Sequence, residues 1–291
     1  MNAIVPEMHV EEDMTAFIAD PMSAFRAHVQ AVTGISIGPA KESMIRQRLG
    51  KPLSQTDFST VEQYLRAMLT NPGLQRELAA AVDLMTTNTT YFFREQAHFD
   101  FLAGTIVPDI AEDHGPGRQF RLNVWSAASS EGAEAYTTAM VLSELQTLHT
   151  GMDYAIIGTD ISPRMVKLAR NGIYKVNQTD RIPGFLRRKY LMTGVHGDMR
   201  GKVRFCPELR RRVKFACMNL KQDRYPISPN VDVAFLRNVL IYFEPDDQQL
   251  VIARVVSRIR KGGHLFVGHS ESMIVDHPGM EQIAPSIFRK I

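Results

Sequence analysis

The sequence predicts an all-α N-terminal domain followed by an α/β domain on a doubly wound sheet, and three observations carry that expectation. At 291 residues the chain exceeds one ordinary compact unit and falls short of three, so two domains suit its length. From Met22 to about Met85 apolar residues recur at three- and four-residue spacing, as in Val61, Tyr64, Leu65, Met68, Leu69 and in Leu78, Val82, Met85, the period of helices that bury one stripe. After Gly115-Pro116-Gly117 short apolar runs alternate with amphipathic stretches, the texture of a βαβ chain.

Taken in order, the helical region is divided at Gly34-Ile-Ser-Ile-Gly38-Pro39, at Lys51-Pro52 and at Asn71-Pro72-Gly73, where glycine frees the backbone and proline removes a donor. Arg121 to Ala128 reads as a buried strand, followed by a helix from about Glu131 to Leu148. Tyr154 to Thr159 is a second strand, ending at Asp160, and Ser162-Pro163 opens the next helix with an N-cap and a proline at the first helical position. Val231 to Leu236 is a later strand, Pro245 to Arg260 its helix, Lys261-Gly-Gly263 a stop, and His264 to Gly268 another strand. This alternation gives a doubly wound α/β sheet. Between Gly172 and Phe215 the text is irregular and basic, as in an insertion carried on that sheet, and no internal repeat occurs.

With 44% hydrophobic and 22% charged residues the composition is that of a soluble globular protein, and no apolar run approaches the roughly 18 to 20 residues of a membrane span. The first residues carry Glu7, Glu11, Glu12 and Asp13 where a secretory signal would be basic and then apolar, so a cytoplasmic location is expected. Cys206 and Cys217 lack the paired spacing of a zinc site and read as structural thiols. The formal charge of +3 hides an asymmetry: residues 164 to 214 hold fifteen Lys or Arg against three acids, net +12. Such a stretch predicts a positive face that could meet nucleic acid, an anionic membrane or an acidic protein.

Ligands of open α/β sheets lie beyond the carboxyl ends of the strands, so the segments just after each strand hold the candidate chemistry. Ser126-Ala-Ala-Ser-Ser-Glu-Gly-Ala-Glu134 is a small-residue turn that lets a ligand approach the backbone. It has no G-x-G-x-x-G, and no phosphate-cradling G-x-x-x-x-G-K-[ST] occurs anywhere. Asp160 stands where an acid can accept from both ribose hydroxyls, or else serve as a helix cap beside Ser162. Arg237 and Asn238 follow the apolar strand 231–236, and Asn238 is either a ligand group or an amide that satisfies a loop. A nucleoside site without a pyrophosphate grip favours S-adenosylmethionine over NAD. The nine histidines include no H-E-x-x-H and no Cys/His cluster; His269 reads as structural packing, and no metal is expected.

Taken together, Thr86-Thr-Asn-Thr-Thr-Tyr-Phe-Phe-Arg-Glu95, Trp125 through Glu134 and Tyr136, Gly158-Thr-Asp-Ile161, Asn171-Gly-Ile-Tyr174, Met218-Asn-Leu220, Arg237-Asn-Val-Leu-Ile-Tyr-Phe243 and Gly268-His-Ser-Glu271 resemble the successive signatures of CheR chemotaxis-receptor methyltransferases, in family order from about Phe25 to the C-terminus. The resemblance implies a Rossmann-like S-adenosylmethionine methyltransferase domain over residues 88–291, with a β-subdomain insertion at about 175–215, preceded by a helical receptor-docking domain over 1–87. It implies that Asn88, Thr90 and Arg94 contact the cofactor, that Glu134 and Asp160 hold its amino-acid and ribose parts, and that Asn219, Leu220, Asn238 and Val239 complete the pocket. Arg94 and Tyr242 would lie nearest the point of methyl transfer. The product would be S-adenosylhomocysteine and a glutamyl methyl ester. The partner would be a chemoreceptor's cytoplasmic helices, with its C-terminal tail held by the β-subdomain in some relatives.

Two departures from the family pattern stand out. Gly132-Ala-Glu-Ala-Tyr-Thr137 keeps only the second acid of the usual Gly-Glu-Glu-Pro-Tyr-Ser, and Gly50-Lys-Pro52 interrupts the helix after Arg46-Gln-Arg48-Leu49 where relatives continue with arginines. A glutamate of pKa about 4.3 is already a nucleophile at neutral pH, so no general base is required, and alignment is what the site must supply. For Tyr242 a core aromatic whose hydroxyl meets the backbone is the competing role. Two other functions compete. A nucleic-acid methyltransferase is disfavoured by the few aromatics in the basic stretch. A non-catalytic S-adenosylmethionine-binding adaptor of the same fold is suggested by Ala133 and the shortened arginine helix.

Overall fold

The computed structural model describes residues 18–115 and 117–291, so the acidic leader Glu7 to Asp13 and Pro116 lie outside the described residues. These residues form two compact units that divide between Thr87 and Asn88.

The first unit holds helices α1 (Pro21–Thr33), α2 (Glu42–Leu53), α3 (Val61–Thr70) and α4 (Gln75–Met85). Their starts are written locally. Asp20 accepts from the N–H groups of Met22 and Ser23 at 3.0 and 3.1 Å, and Thr60 accepts from Gln63 at 3.2 Å, so orphan first-turn donors are satisfied. Phe25, Val29, Ile45, Leu49, Leu65 and Met68 are fully buried against one another and form the core. The expected break at Lys51-Pro52 does not occur: α2 runs through Pro52 to Leu53. Proline stands there in the last turn, where a single ladder bond is lost, and the Ser54 N–H still reaches the Gly50 carbonyl at 3.1 Å. Arg48 is committed inside this unit, donating to the carbonyls of Leu84 and Thr86 at 2.9 and 3.1 Å and so satisfying the C-terminal end of α4.

The second unit opens with α5 (Gln96–Phe101) and α6 (Val107–His114), joined by a π-helical turn. It continues through β1 (Phe120–Ala127), α7 (Ala133–Leu148), β2 (Met152–Asp160), α8 (Pro163–Asn171), β3 (Ile173–Lys175), α9 (Gly184–Tyr190), β4 (Leu191–Thr193), β5 (Lys202–Phe205), α10 (Pro207–Arg212) and β6 (Val213–Cys217). It closes with β7 (Val231–Leu236), α11 (Pro245–Val256), β8 (Ile259–Val267), β9 (Met280–Ala284) and β10 (Ile287–Lys290). The main sheet has the order β6-β2-β1-β7-β8-β10-β9. Its first five strands are parallel, β10 runs antiparallel to β8, and β9 antiparallel to β10. Successive side chains enter opposite apolar layers, Val233 and Phe235 one, Ala234 and Leu236 the other, as a sheet covered on both faces requires.

Three boundaries differ from expectation. α11 ends at Val256 rather than Arg260, and Lys261-Gly-Gly263 lies inside β8 instead of stopping a helix. The pairing to β7 slips there, from Val231 opposite Ile259 to Val233 opposite His264, and Gly262 takes φ +73°. The glycine pair therefore makes an irregularity in a strand, which needs the same freedom as a helix stop. The small antiparallel sheet, β3-β5-β4, spans Ile173 to Phe205, whereas Val213 to Phe215 pair in parallel with β2 and belong to the main sheet. The helix after β1 begins at Ala133, two residues later than Glu131, because Gly132 at φ +92° closes the turn. Among the described residues no helix is long and apolar enough to cross a membrane.

Candidate active site

The turns that follow β1, β2 and β7 are fastened to one another by side chains. After β1 the backbone passes through Ala128 at φ +58° and Ser130 at φ +49°. Asp160, at the end of β2, holds that turn: its Oδ2 accepts from the Ser130 N–H at 2.7 Å and its Oδ1 from the Ser162 N–H at 2.9 Å. Ser162 itself caps α8, accepting from Met165 at 3.1 Å, so Asp160 is not the helix cap. The Ser130 hydroxyl donates to the Asn88 carbonyl at 2.9 Å and ties the start of the 88–95 segment to the same turn.

That segment carries left-handed backbone at Phe93 (φ +57°) and Glu95 (φ +55°). The Phe93 N–H donates to Thr137 Oγ1 on α7 at 3.2 Å. Arg94 donates to the Thr89 carbonyl at 3.0 Å, and its guanidinium stands 5.6 Å from the Tyr91 ring centroid, so its side chain is held while its charge meets no carboxylate among the described residues. Thr90 is half-buried beside it.

Arg237 organises the centre. Its side chain is 2% exposed and bridges Glu95 at 3.1 Å and Glu134 at 3.0 Å, while also donating to the Arg94 carbonyl. Glu134 accepts from the Ser126 hydroxyl at 2.6 Å, so a residue at the end of β1 orients it. Burial pushes the Glu134 carboxyl above its usual range against the pull of Arg237. Burial acts the same way on Glu95, but there Arg237 and the Asn238 amide prevail and hold the carboxyl low. Burial and Arg237 push His98 down to about 4, leaving a neutral imidazole.

Asn238 takes φ +56°, and a buried carboxylate explains how that conformation is held. Glu271 is fully buried and accepts from the N–H groups of Asn238 at 2.6 Å, Gly268 at 2.7 Å, Leu240 at 2.8 Å and Ile241 at 3.4 Å. It stitches the turn after β7 to the turn after β8. Burial raises its pKa and these four donors oppose the rise. The Asn238 side chain donates to Glu95 at 3.3 Å, Val239 is half-buried, and the half-buried Tyr242 hydroxyl has no hydrogen-bond partner among the described residues. After β6, Asn219 Oδ1 accepts from the Lys221 N–H at 2.8 Å, and Leu220 is buried.

Two sets of bonds therefore hold the predicted residues, one containing Asn88 and Asp160 through Ser130 and the other containing Arg94, Glu134 and Asn238 through Arg237 and Glu95. Among the described residues, the Thr90 and Tyr242 side chains make no hydrogen bond to these groups, while the Met218 N–H donates to the Asp160 carbonyl at 2.9 Å and brings the Asn219-Leu220 turn beside them. Sequence reasoning gave no role to Glu95 or Glu271, and named Arg237 without its two acids, because the partner of Glu95 stands 142 residues away. The only legible signal was that these acids fall inside motifs and directly follow strands or precede helices. S-adenosylmethionine fits the crevice on chemical grounds. The Ser126 to Gly132 turn is small, the buried Ser129 hydroxyl has no partner among the described residues, and an acid ends β2 where a nucleoside sugar would lie.

An open α/β sheet with this crevice and no phosphate cradle is that of a Rossmann-like S-adenosylmethionine-dependent methyltransferase. The family described as CheR methyltransferase, SAM binding domain, matches residues 88–287, and the CheR methyltransferase, all-alpha domain, matches residues 20–86. The chain belongs to the CheR methyltransferase family. A chemotaxis protein methyltransferase of Vibrio anguillarum is 35% identical over 272 residues, covering 92% of this chain and 95% of that one. One from Borreliella burgdorferi is 33% identical over 258 residues, 88% and 89% of the two chains. Chemotaxis protein methyltransferase 1 of Pseudomonas aeruginosa is 32% identical over 283 residues, 94% and 98% of the two chains.

Proposed function

We propose that this methyltransferase esterifies glutamate side chains on the cytoplasmic helices of a chemoreceptor, acting in the cytoplasm. The observation that carries the reading is a guanidinium and a phenol, Arg94 and Tyr242, on the turns of the crevice with no acid and no hydrogen-bond partner, respectively, among the described residues. When bound, S-adenosylmethionine supplies a methyl group whose bond to sulfur breaks as its bond to a carboxylate oxygen forms, leaving the thioether S-adenosylhomocysteine. The acceptor glutamate is ionised at neutral pH, so the protein has no proton to remove. Its task is orientation, which is worth roughly 7 to 11 kcal/mol of barrier when reacting atoms are well aligned.

Arg94, with its backbone carbonyl on Arg237 and its side chain on Thr89, forks onto the acceptor carboxylate and turns one oxygen toward the methyl group. Tyr242 directs its free hydroxyl to the same region. Glu134, Asp160, Asn88, Thr90, Asn219, Leu220, Asn238 and Val239 hold the cofactor, and Arg237 and Glu271 keep those residues in place. Residues 1–87 dock the receptor helices, and the β3-β5-β4 sheet, with its basic flanks, receives an acidic receptor tail.

The test is transfer of radiolabelled methyl groups from S-adenosylmethionine to receptor-containing membranes. Alkali-labile label released as methanol is the expected product. Label stable to alkali, or label in nucleic acid, overturns the reading. Arg94→Ala should bind S-adenosylhomocysteine yet transfer methyl groups at least tenfold more slowly.

A further inference from the structure

Three side chains that no part of the methyl transfer requires as a set meet beside the crevice. Glu95, His98 and His269 each offer a ligand atom, and all three atoms lie within 4.8 Å of one another. They come from the strained turn before α5, from α5 itself and from the turn after β8.

His98 is 1% exposed, and neither ring nitrogen has a hydrogen-bond partner among the described residues. A buried imidazole left unsatisfied on both sides calls for a physical explanation. Its Nδ1 stands 3.4 Å from Glu95 Oε2, within ion-pair range but outside hydrogen-bond alignment. Two atoms bound at about 2.0–2.1 Å to one tetrahedral ion stand about 3.3 Å apart, so this separation is that of two ligands of a common ion. The rings of His98 and His269 have centroids 5.1 Å apart at 71°. Two imidazoles on one tetrahedral ion, with the same bond lengths, place their centroids about 5 Å apart.

The surroundings supply the rest of such a site. His269 Nδ1 lies 3.3 Å from the Ser286 hydroxyl, an outer partner that fixes the ring and leaves Nε2 for an ion. Ser286 is buried and held at φ +61°, a left-handed conformation that only its surroundings sustain. Arg237 shares Glu95 and would by itself repel a cation, but Glu134 adds a second carboxylate on that single guanidinium. An open cleft of about 590 Å³, lined by His269, Ser272, Gln282, Ala284 and Ser286, leads in from solvent.

We infer that Glu95, His98 and His269 form a binding site for a divalent transition ion of the zinc class, with solvent completing its coordination. Two imidazoles and one carboxylate suit zinc and its neighbours and not the hard, all-oxygen ions magnesium and calcium.

The test uses the full-length chain, stripped of metal and titrated with Co(II), whose visible d–d bands are strong only at low coordination number. One equivalent should give such bands, and Zn(II) should displace them. His269→Gln changes an exposed side chain and removes one of the two rings that meet His98, leaving Phe266 against it; it should abolish the bands while S-adenosylhomocysteine binding is retained. Ser286→Ala should weaken Co(II) binding about 10-fold. Only the weak spectrum of the aqueous ion in the wild-type chain would overturn the site, and so would bands that persist in His269→Gln.

Discussion

The helical unit and the strand-end crevice are stabilised in opposite ways. Around Phe25, Ile45 and Leu65 the core is apolar, and its polar needs are met at helix ends, by the local caps Asp20 and Thr60 and by Arg48 at the end of α4. In the crevice, Glu95, Glu134, Glu271 and Arg237 are withdrawn from water, and left-handed backbone at Phe93, Glu95 and Asn238 is tolerated. Apolar burial contributes stability directly, whereas buried charges return little net stability yet are costly to leave unpaired. The comparison teaches that the first region is built to fold and the second to hold a geometry.

The largest expected effect is at the centre of the crevice. Arg237→Ala strips Glu95 and Glu134 of their common partner and should cost about 3–5 kcal/mol in urea unfolding of the full chain, with loss of S-adenosylhomocysteine binding. A cost within experimental error would mean that these charges are solvated and the contrast is false. In the helical unit, Leu65→Ala should cost about 2–5 kcal/mol by calorimetry while cofactor affinity, read by isothermal titration, stays at the wild-type value. Glu271→Gln should follow at about 1.5–3 kcal/mol, because an amide oxygen replaces a carboxylate that accepts four N–H groups.

Acid should expose the same contrast. His264 in β8 is buried, and burial with Arg260 and Arg289 nearby pushes it down from 6.5 to about 4. The unfolded chain thus binds a proton first, so stability is lost as pH falls from about 6.5 towards 4, and His264→Leu should lessen that loss in urea titrations across the window, His98 continuing to contribute to it. Smallest is the cap: Asp20→Ala should cost about 1 kcal/mol and leave methyl transfer unchanged.

Much of this was legible before any coordinates. The start of α8 was written in Ser162-Pro163, since a cap acts on residues two or three positions away; the equally local caps of α1 and α3, Asp20 and Thr60, emerged only with the structure. Strands β1, β2 and β7 showed as apolar runs. Less legible were Pro52 and Gly262-Gly263, which carry a breaker's signature but sit in a last turn and in a strand irregularity. Val213 and Phe215 were hidden by the flanking arginines, and the β9–β10 hairpin showed no apolar run that separated it from loop.

For the site, the sequence alone determined the order of the motifs and the acids and amides at strand ends, and hence the family and its S-adenosylmethionine cofactor, because those signals are local. Tertiary structure decided the rest: that Arg237 joins Glu95 to Glu134, that Glu271 holds Asn238 in a left-handed turn, and that His98 meets His269. Each of those contacts spans between 33 and 171 residues of chain, over which no periodicity or cap reaches. Only the closing of the sheet brings such groups within bonding distance.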